Sequence, residues 1–435
     1  MTTTPRLLPA LALLASAHLA AADAPRSAIF LHPDGMGANT WAALRMHAVG
    51  PDGRLAWDQL PRLAIYVGPM LDSINASSNG GATTHAYGIR AALDSFGSLD
   101  GKTAPVALSG KPMSVMHEAR AAGKAIAIVN SSTITEPGTA AFLVSVPDRD
   151  NDVDIAVLLL QAAPEIMLGG GEQFFLPKGT AGAHGPGVRE DGRNLVEEAR
   201  EAGYTVVHTR EELLALSQDT AKILGLFAAE HTFNEASEKK LARLKLPAFQ
   251  PQAPRFDEMV AVALARLRAS PKGYLLVGNE EGTDNLSGEN NTPAVLEAAA
   301  GADRAISLAL AEARDNPALT LLVASDSDNG GMNATSDDLD ELPRPLPRRT
   351  ENGSPLDSDG GKPYLSAPDA RGKRIPFYVT WASASDSAGG TVARGIGPGA
   401  ALIEGTIDSS DIYRALYLGL FDRLLPTGKP ASATR

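Results

Sequence analysis

Short apolar runs recur along the chain, separated by stretches with helical spacing. Those at 28–31, 125–129, 166–168, 205–207, 274–277 and 320–324 are continuous. A strand with one wet face would alternate apolar and polar residues, so unbroken runs predict strands buried on both faces. Strands separated by helices predict an α/β fold: a large, mostly parallel central sheet with helices on both faces. In such sheets ligands gather beyond the carboxyl ends of the strands. Asp34, Glu281 and Asp326 follow closely on apolar runs, and Glu136 lies a short loop beyond one.

No internal repeat or low-complexity run interrupts this pattern. Residues 341–368 are rich in Pro, Gly and Asp and read as a surface insertion, so 26–430 is expected to be a single domain. The N-terminus follows a different pattern. Arg6 precedes an apolar run over 7–19, and Ala20-Ala21-Ala22 then offers small residues for cleavage. The run is short for a membrane span, which predicts a signal peptide over 1–22 and a periplasmic or secreted mature protein. No later stretch is long and apolar enough to cross a bilayer once that signal is removed.

Composition narrows the chemistry. The 435 residues include 51 Asp and Glu against 39 Lys and Arg, a formal charge of -12. The chain carries no nucleic-acid-binding signature, since broad nucleic-acid binding needs basic patches. With no Cys, disulfides, thiolate metal sites and cysteine nucleophiles are excluded. Oligomeric state leaves no readable signal.

Five segments could carry chemistry. Asp34-Gly35-Met36-Gly37 follows the first strand, where a carboxylate could bind metal or cap a turn. Ser77-Ser78-Asn79-Gly80-Gly81 leads into a helical stretch, so a hydroxyl there is either an N-cap or a group facing a phosphate. Glu136 and Arg149 could be a ligand and a bidentate phosphate clamp, or a loop salt bridge. Glu280-Glu281-Gly282-Thr283-Asp284 and Asp326-Ser327-Asp328-Asn329 put further acids after apolar strands. A solvated acidic loop is the common case for any one of these, but five on one sheet edge would be unusual.

In this order the segments resemble the alkaline phosphatase superfamily. The resemblance implies that Asp34 is a bridging metal ligand and Ser78 the phosphorylated nucleophile, counted back from Ala86-Tyr87-Gly88. It makes Glu136 an acidic ligand ahead of Ala140-Ala141, and Arg149, thirteen residues on, the phosphate-binding arginine. Asp284 and Asp326 match the two later aspartate ligands. For the acid before Asp284, strict spacing selects Asn279, while Glu280 and Glu281 lie closer; Glu281 is favoured.

The chain departs from the family pattern in several places. Ser77 stands where Asp usually precedes the nucleophile, and no His occurs after His231. Ser327, Gly288 and Ser387 occupy the places of the three later histidines. His32 and His85 lie near the segments but match no ligand position, and a lone His is more often structural. Oxygen ligands suit Mg²⁺ or Ca²⁺ better than Zn²⁺. Divalent cations are therefore expected, with Mg²⁺ or Ca²⁺ favoured over Zn²⁺ because the late histidines are absent. Asn285, Asn290, Asn291, Asp328 and Asn329 could complete the shells. The implied activity is metal-dependent hydrolysis of a small phosphorylated substrate through a phosphoserine. The alternatives are a phosphodiesterase on the same scaffold, or a non-catalytic protein that binds phosphate or a cation.

Overall fold

The computed structural model describes residues 25–427, except 338. The expected signal peptide lies outside the described residues. Fourteen strands are named in chain order: β1 Ser27–Pro33, β2 Arg62–Val67, β3 Ala125–Thr133, β4 Ile166–Gly170, β5 Thr205–Val207, β6 Ile223–Leu226 and β7 Tyr274–Glu280. Then come β8 Leu319–Val323, β9 Met332–Thr335, β10 Leu356–Asp357, β11 Tyr364–Leu365, β12 Pro376–Trp381, β13 Val392–Ile396 and β14 Glu404–Asp408. Ten of them form one sheet in the order β14-β2-β13-β8-β1-β7-β3-β4-β6-β5. All neighbours are parallel except β13, which runs antiparallel to β2 and β8. All six apolar runs are strands of this sheet.

The reason is burial on two faces. Along β1, Ala28 and Phe30 enter one apolar core while Ile29 and Leu31 enter the other. Strand β7 divides the same way, with Leu275 and Val277 opposite Tyr274 and Leu276. Successive side chains point to opposite faces, so a strand between two helical layers must be apolar at every position. The helices Ser78–Tyr87 and Asp411–Phe421 cover the first face; Phe256–Leu267 and Thr292–Asp315 cover the second.

Strands β2, β6, β13 and β14 are not evident from apolar runs. In β2, Leu63, Ile65 and Val67 are exposed while Ala64 and Tyr66 are buried, a one-sided strand near the sheet edge. Residues 341–368 carry β10 and β11, which pair with β12; β9 also pairs with β12. Leu346 and Leu356 from this segment share a small apolar cluster with Leu339 and Tyr378.

Register brings the acids together. His32 on β1 lies opposite Asn279 on β7, which lies opposite Asn130 on β3; Leu31 lies opposite Val323 on β8. The carboxyl ends of β8, β1, β7 and β3 therefore form one edge, and Asp326, Asp34, Glu281 and Glu136 follow them in turn.

Candidate active site

Asp34 opens the turn after β1. Its amide donates to the Glu280 carbonyl at 3.2 Å, and its Oδ1 accepts from the Gly35 amide at 3.0 Å. Gly35 has φ +59°, and a methyl group on it would fall 2.2 Å from Asp284 Oδ1. Both its conformation and its neighbour therefore demand glycine. Gly37 plays the second part, because a methyl there would fall 2.2 Å from Asp328 Cγ. Thr283 Oγ1 ties the far side of the turn, 2.7 Å from the Asp34 carbonyl and 2.6 Å from that of Glu280.

Ser77 and Ser78 divide the two readings of their segment. Ser77 is the N-cap, its Oγ accepting from the Gly80 amide and donating to the Leu93 carbonyl. Ser78 is the first residue of the helix Ser78–Tyr87 and is 8% exposed. Its hydroxyl sits where the unpaired amides and dipole of the helix favour an anion. One turn on, a methyl on Gly81 would fall 2.6 Å from Asp326 Cβ. That contact holds the start of the helix against the acids.

The acids form one buried cluster. Burial pushes the Asp34 carboxyl up, and the neighbouring charges of Asp386 and Glu136 add to that shift. Burial also raises Glu281, and the neighbouring charges of Glu136, Asp34 and Asp284 add to the effect. Asp284 is raised by burial and by Asp386, Asp34 and Asp326; Asp326 by burial and by Asp34. Glu136 is raised by burial, while Arg149 opposes the shift from 2.7 Å away. Arg149 is half-exposed, so the pair is open to solvent on the arginine side.

Glu280 and Glu281 part company. Glu281 belongs to the cluster and accepts from Asn279 Nδ2 at 2.5 Å. Glu280 turns away, its Oε1 accepting from Ser131 Oγ at 2.6 Å and the Gly282 amide at 3.1 Å. Asn279 serves here as the donor to Glu281.

These residues fit a divalent cation. Asp34 Oδ2 and both carboxylate oxygens of Asp326 are buried with no hydrogen-bond partner among the described residues. Carboxylates out of water need donors, protons or a metal ion. Asp34, Glu281, Asp284 and Asp326 crowd one another, and a bound cation would remove that repulsion.

The alkaline phosphatase family profile matches residues 26–339, well over half of the chain. The chain belongs to the alkaline phosphatase family. The tissue-nonspecific alkaline phosphatase of Gallus gallus is 28% identical over 313 residues, 63% of this chain and 58% of that protein. The match thus spans less than two thirds of that relative's length. Among solved structures, the alkaline phosphatase of Thermus thermophilus superposes with a TM-score of 0.71 at 23% identity, covering 97% of each chain. A His 135 Asp mutant of the TAB5 alkaline phosphatase with Mg bound in its M3 site superposes at 0.68 and 17% identity, covering 92% of this chain and 98% of that one.

Against the alkaline phosphatase pattern, the substituted positions behave individually. Ser327 Oγ donates to Asp386 Oδ1 at 2.6 Å. Asp386, not Ser387, faces the cluster: burial pushes its carboxyl up to about 6, and the Asp326 charge adds to that. Ser387 instead donates to the Asp328 carbonyl at 2.8 Å. Asp386 lies on the loop after β12, a strand of the smaller sheet, so the carboxyl ends of the central sheet's strands do not single it out. Gly288 closes the short helix Gly282–Gly288, and a methyl there would reach 3.7 Å from Asn329 Nδ2. The position still faces the site, without a side chain.

Of the candidate shell residues, Asn329 donates to Asp284 Oδ1 at 2.9 Å and Asp328 packs on Gly37. The other three are committed elsewhere. Asn285 reaches Glu235, Asn290 donates to the Ser287 and Ser383 carbonyls, and Asn291 caps the helix Thr292–Asp315. Side-chain direction on a short helix and its following turn separates them from the acids, which spacing along the chain does not reveal.

His32, which matches no family ligand position, stands beside two of the acids. It is fully buried, and its Nε2 lies 3.8 Å from Asp34 Oδ1 and 3.8 Å from Asp326 Oδ1. His85 stays outside the acids: its Nε2 pairs with the Tyr66 hydroxyl at 2.8 Å. A period-two reading of β1 puts His32 on the same face as Phe30, two residues before Asp34 at the strand's carboxyl end.

Proposed function

We propose that the chain is a metal-dependent phosphomonoester hydrolase acting through a phosphoserine at Ser78. The observation that carries this reading is the placement of Ser78 at a helix start that Gly81 presses against Asp326. Family membership and the buried acids at one sheet edge support it.

Asp34, Glu136, Glu281, Asp284 and Asp326 would hold the metal ions. A divalent cation supplies Lewis-acid stabilisation of the serine oxygen and of the leaving oxygen when bound. Ser78 Oγ attacks phosphorus in line: the new P–O bond forms as the bond to the leaving alcohol breaks. The helix amides face the non-bridging oxygens, and Arg149 turns from Glu136 to donate to them bidentately. Water then cleaves the phosphoserine and returns the free hydroxyl. The acids matched to family positions offer oxygen donors, which favours Mg²⁺ or Ca²⁺ there; the TAB5 mutant is a Mg-bound precedent on this fold.

The substrate would be a small phosphorylated molecule. Among the described residues no helix is long and apolar enough to cross a membrane. Residues 1–22 would act as a signal peptide that delivers the protein to the periplasm or outside the cell. The described residues would work as one domain, with 341–368 as a surface insertion.

Turnover of a phosphomonoester and a phosphodiester, measured with each divalent cation, tests the reading. Monoester turnover that disappears in Ser78→Ala, with fold and metal content kept, is the expected result. Undiminished turnover in that variant would reject the serine assignment. Preferential diester cleavage would make the protein a phosphodiesterase, and phosphate binding without turnover would make it a binding protein.

A further inference from the structure

We propose that His32 is a metal ligand, sharing one cation with Asp34 and Asp326 and supplying the nitrogen donor that Ser327 lacks. The inference rests on the cation-binding reading above and adds a residue that no family position supplies.

The strand places the imidazole. Phe30 and His32 alternate along β1 to the same face, and Asp34 opens the turn just beyond the strand. The His32 ring lies against Phe30 at 5.7 Å between centroids and nearly parallel to it, with the His85 ring edge-on at 5.4 Å. His85 is itself held by Tyr66. Asn279, the register partner of His32 on β7, stands beside the ring, its amide given to Glu281. The ring therefore has a defined orientation, with Nε2 toward the two aspartates.

The distances decide between a structural histidine and a ligand. A buried structural imidazole normally hydrogen-bonds through its ring nitrogens. His32 Nε2, the nitrogen that faces the aspartates, has no hydrogen bond to a described residue, and neither does Asp34 Oδ2 or either oxygen of Asp326. A separation of 3.8 Å is too long for a hydrogen bond. It is shorter than twice a metal–ligand bond of about 2.1 Å, so one ion can touch both atoms. His32, Asp34 and Asp326 each offer a ligand atom, all within 4.8 Å of one another.

The consequence is a change of metal preference at this position. One imidazole and two carboxylates suit Zn²⁺, Co²⁺ or Mn²⁺ better than Mg²⁺ or Ca²⁺. Oxygen-only positions around Glu136, Glu281 and Asp284 keep the preference for hard cations.

Pulsed electron paramagnetic resonance on the full chain saturated with Mn²⁺ tests this. Wild-type protein should show the ¹⁴N modulation of a directly bound imidazole. In His32→Gln that modulation should vanish, and Mn²⁺ affinity should fall at least tenfold, on the order expected when a metal site is perturbed. Wild-type protein without nitrogen modulation overturns the proposal whatever the variant does. Modulation that persists in a folded His32→Gln also overturns it. Phosphatase turnover is scored separately: activity without nitrogen coupling sinks the ligand assignment alone, and coupling without activity sinks the phosphatase reading alone.

Discussion

Gly81 lies against Asp326 so closely that a methyl group on it would fall 2.6 Å from Asp326 Cβ and 2.9 Å from its Oδ2. The helix that carries Ser78 is thereby seated by a missing side chain. Gly81→Ala gains about 1 kcal/mol of intrinsic helix propensity, but the overlap with Asp326 offsets it, so the melting temperature should not rise. The substitution should lower turnover at least tenfold, because the added methyl pushes Ser78 away from the acids. Steady-state kinetics and a thermal melt check both parts; unchanged turnover would show that the seating is dispensable.

The Arg149–Glu136 pair at 2.7 Å leaves the guanidinium half-exposed. Surface-facing pairs of this kind contribute little to stability, about 0–1 kcal/mol. Arg149→Ala should therefore melt near the wild-type temperature while raising KM at least tenfold. Arg149→Lys should recover only part of the loss, since an ammonium cannot bind two phosphate oxygens in a fork. A KM that does not move in either variant would remove Arg149 from the phosphate site.

Glu280 and Glu281 are adjacent in sequence and differ in outlook. Glu281→Gln should weaken divalent-cation binding at least tenfold, measured by calorimetry. Glu280→Gln removes a carboxylate that holds Ser131 and the Gly282 amide, so it should affect stability and leave the number of bound ions unchanged. Equal losses of metal in the two variants would contradict the separation.

Burial pushes the Asp152 carboxyl up to about 6, with the Glu136 and Glu230 charges adding to it and the Thr135 hydroxyl acting against it. Its folded pKa lies above the unfolded value of about 3.9, so the native state binds more protons between those values. Stability from this group is fully present below about pH 4 and is lost as pH rises through about 6. The loss is on the order of 2 kcal/mol after allowing for partial exposure. Metal-free Asp152→Asn should lack that part of the decline when unfolding free energies are compared from pH 4 to 7. Parallel wild-type and variant curves would refute it.

The sheet was legible because its central strands are buried on both faces. Runs such as 126–129 and 275–277 have no polar residue to disguise them, and each became a strand. β2 was not legible, since Arg62 and its exposed Leu63, Ile65 and Val67 carry no clear binary pattern. Asp34, Glu281 and Asp326 were readable as a set because each follows a strand that ends at the same sheet edge. Asp386 was not, because it reaches the site on a loop 59 residues beyond Ser327.

Sequence alone determined the fold class, the family and most of the acids that gather at one sheet edge, all of which depend on local order along the chain. Tertiary structure decided which of two neighbouring glutamates faces the cluster, which asparagines are spent on loops and caps, and that His32 lies beside Asp34 and Asp326. Those outcomes depend on side-chain direction and on strand register. β1 lies between β7 and β8, and that pairing brings position 32 beside position 326 from opposite ends of the chain.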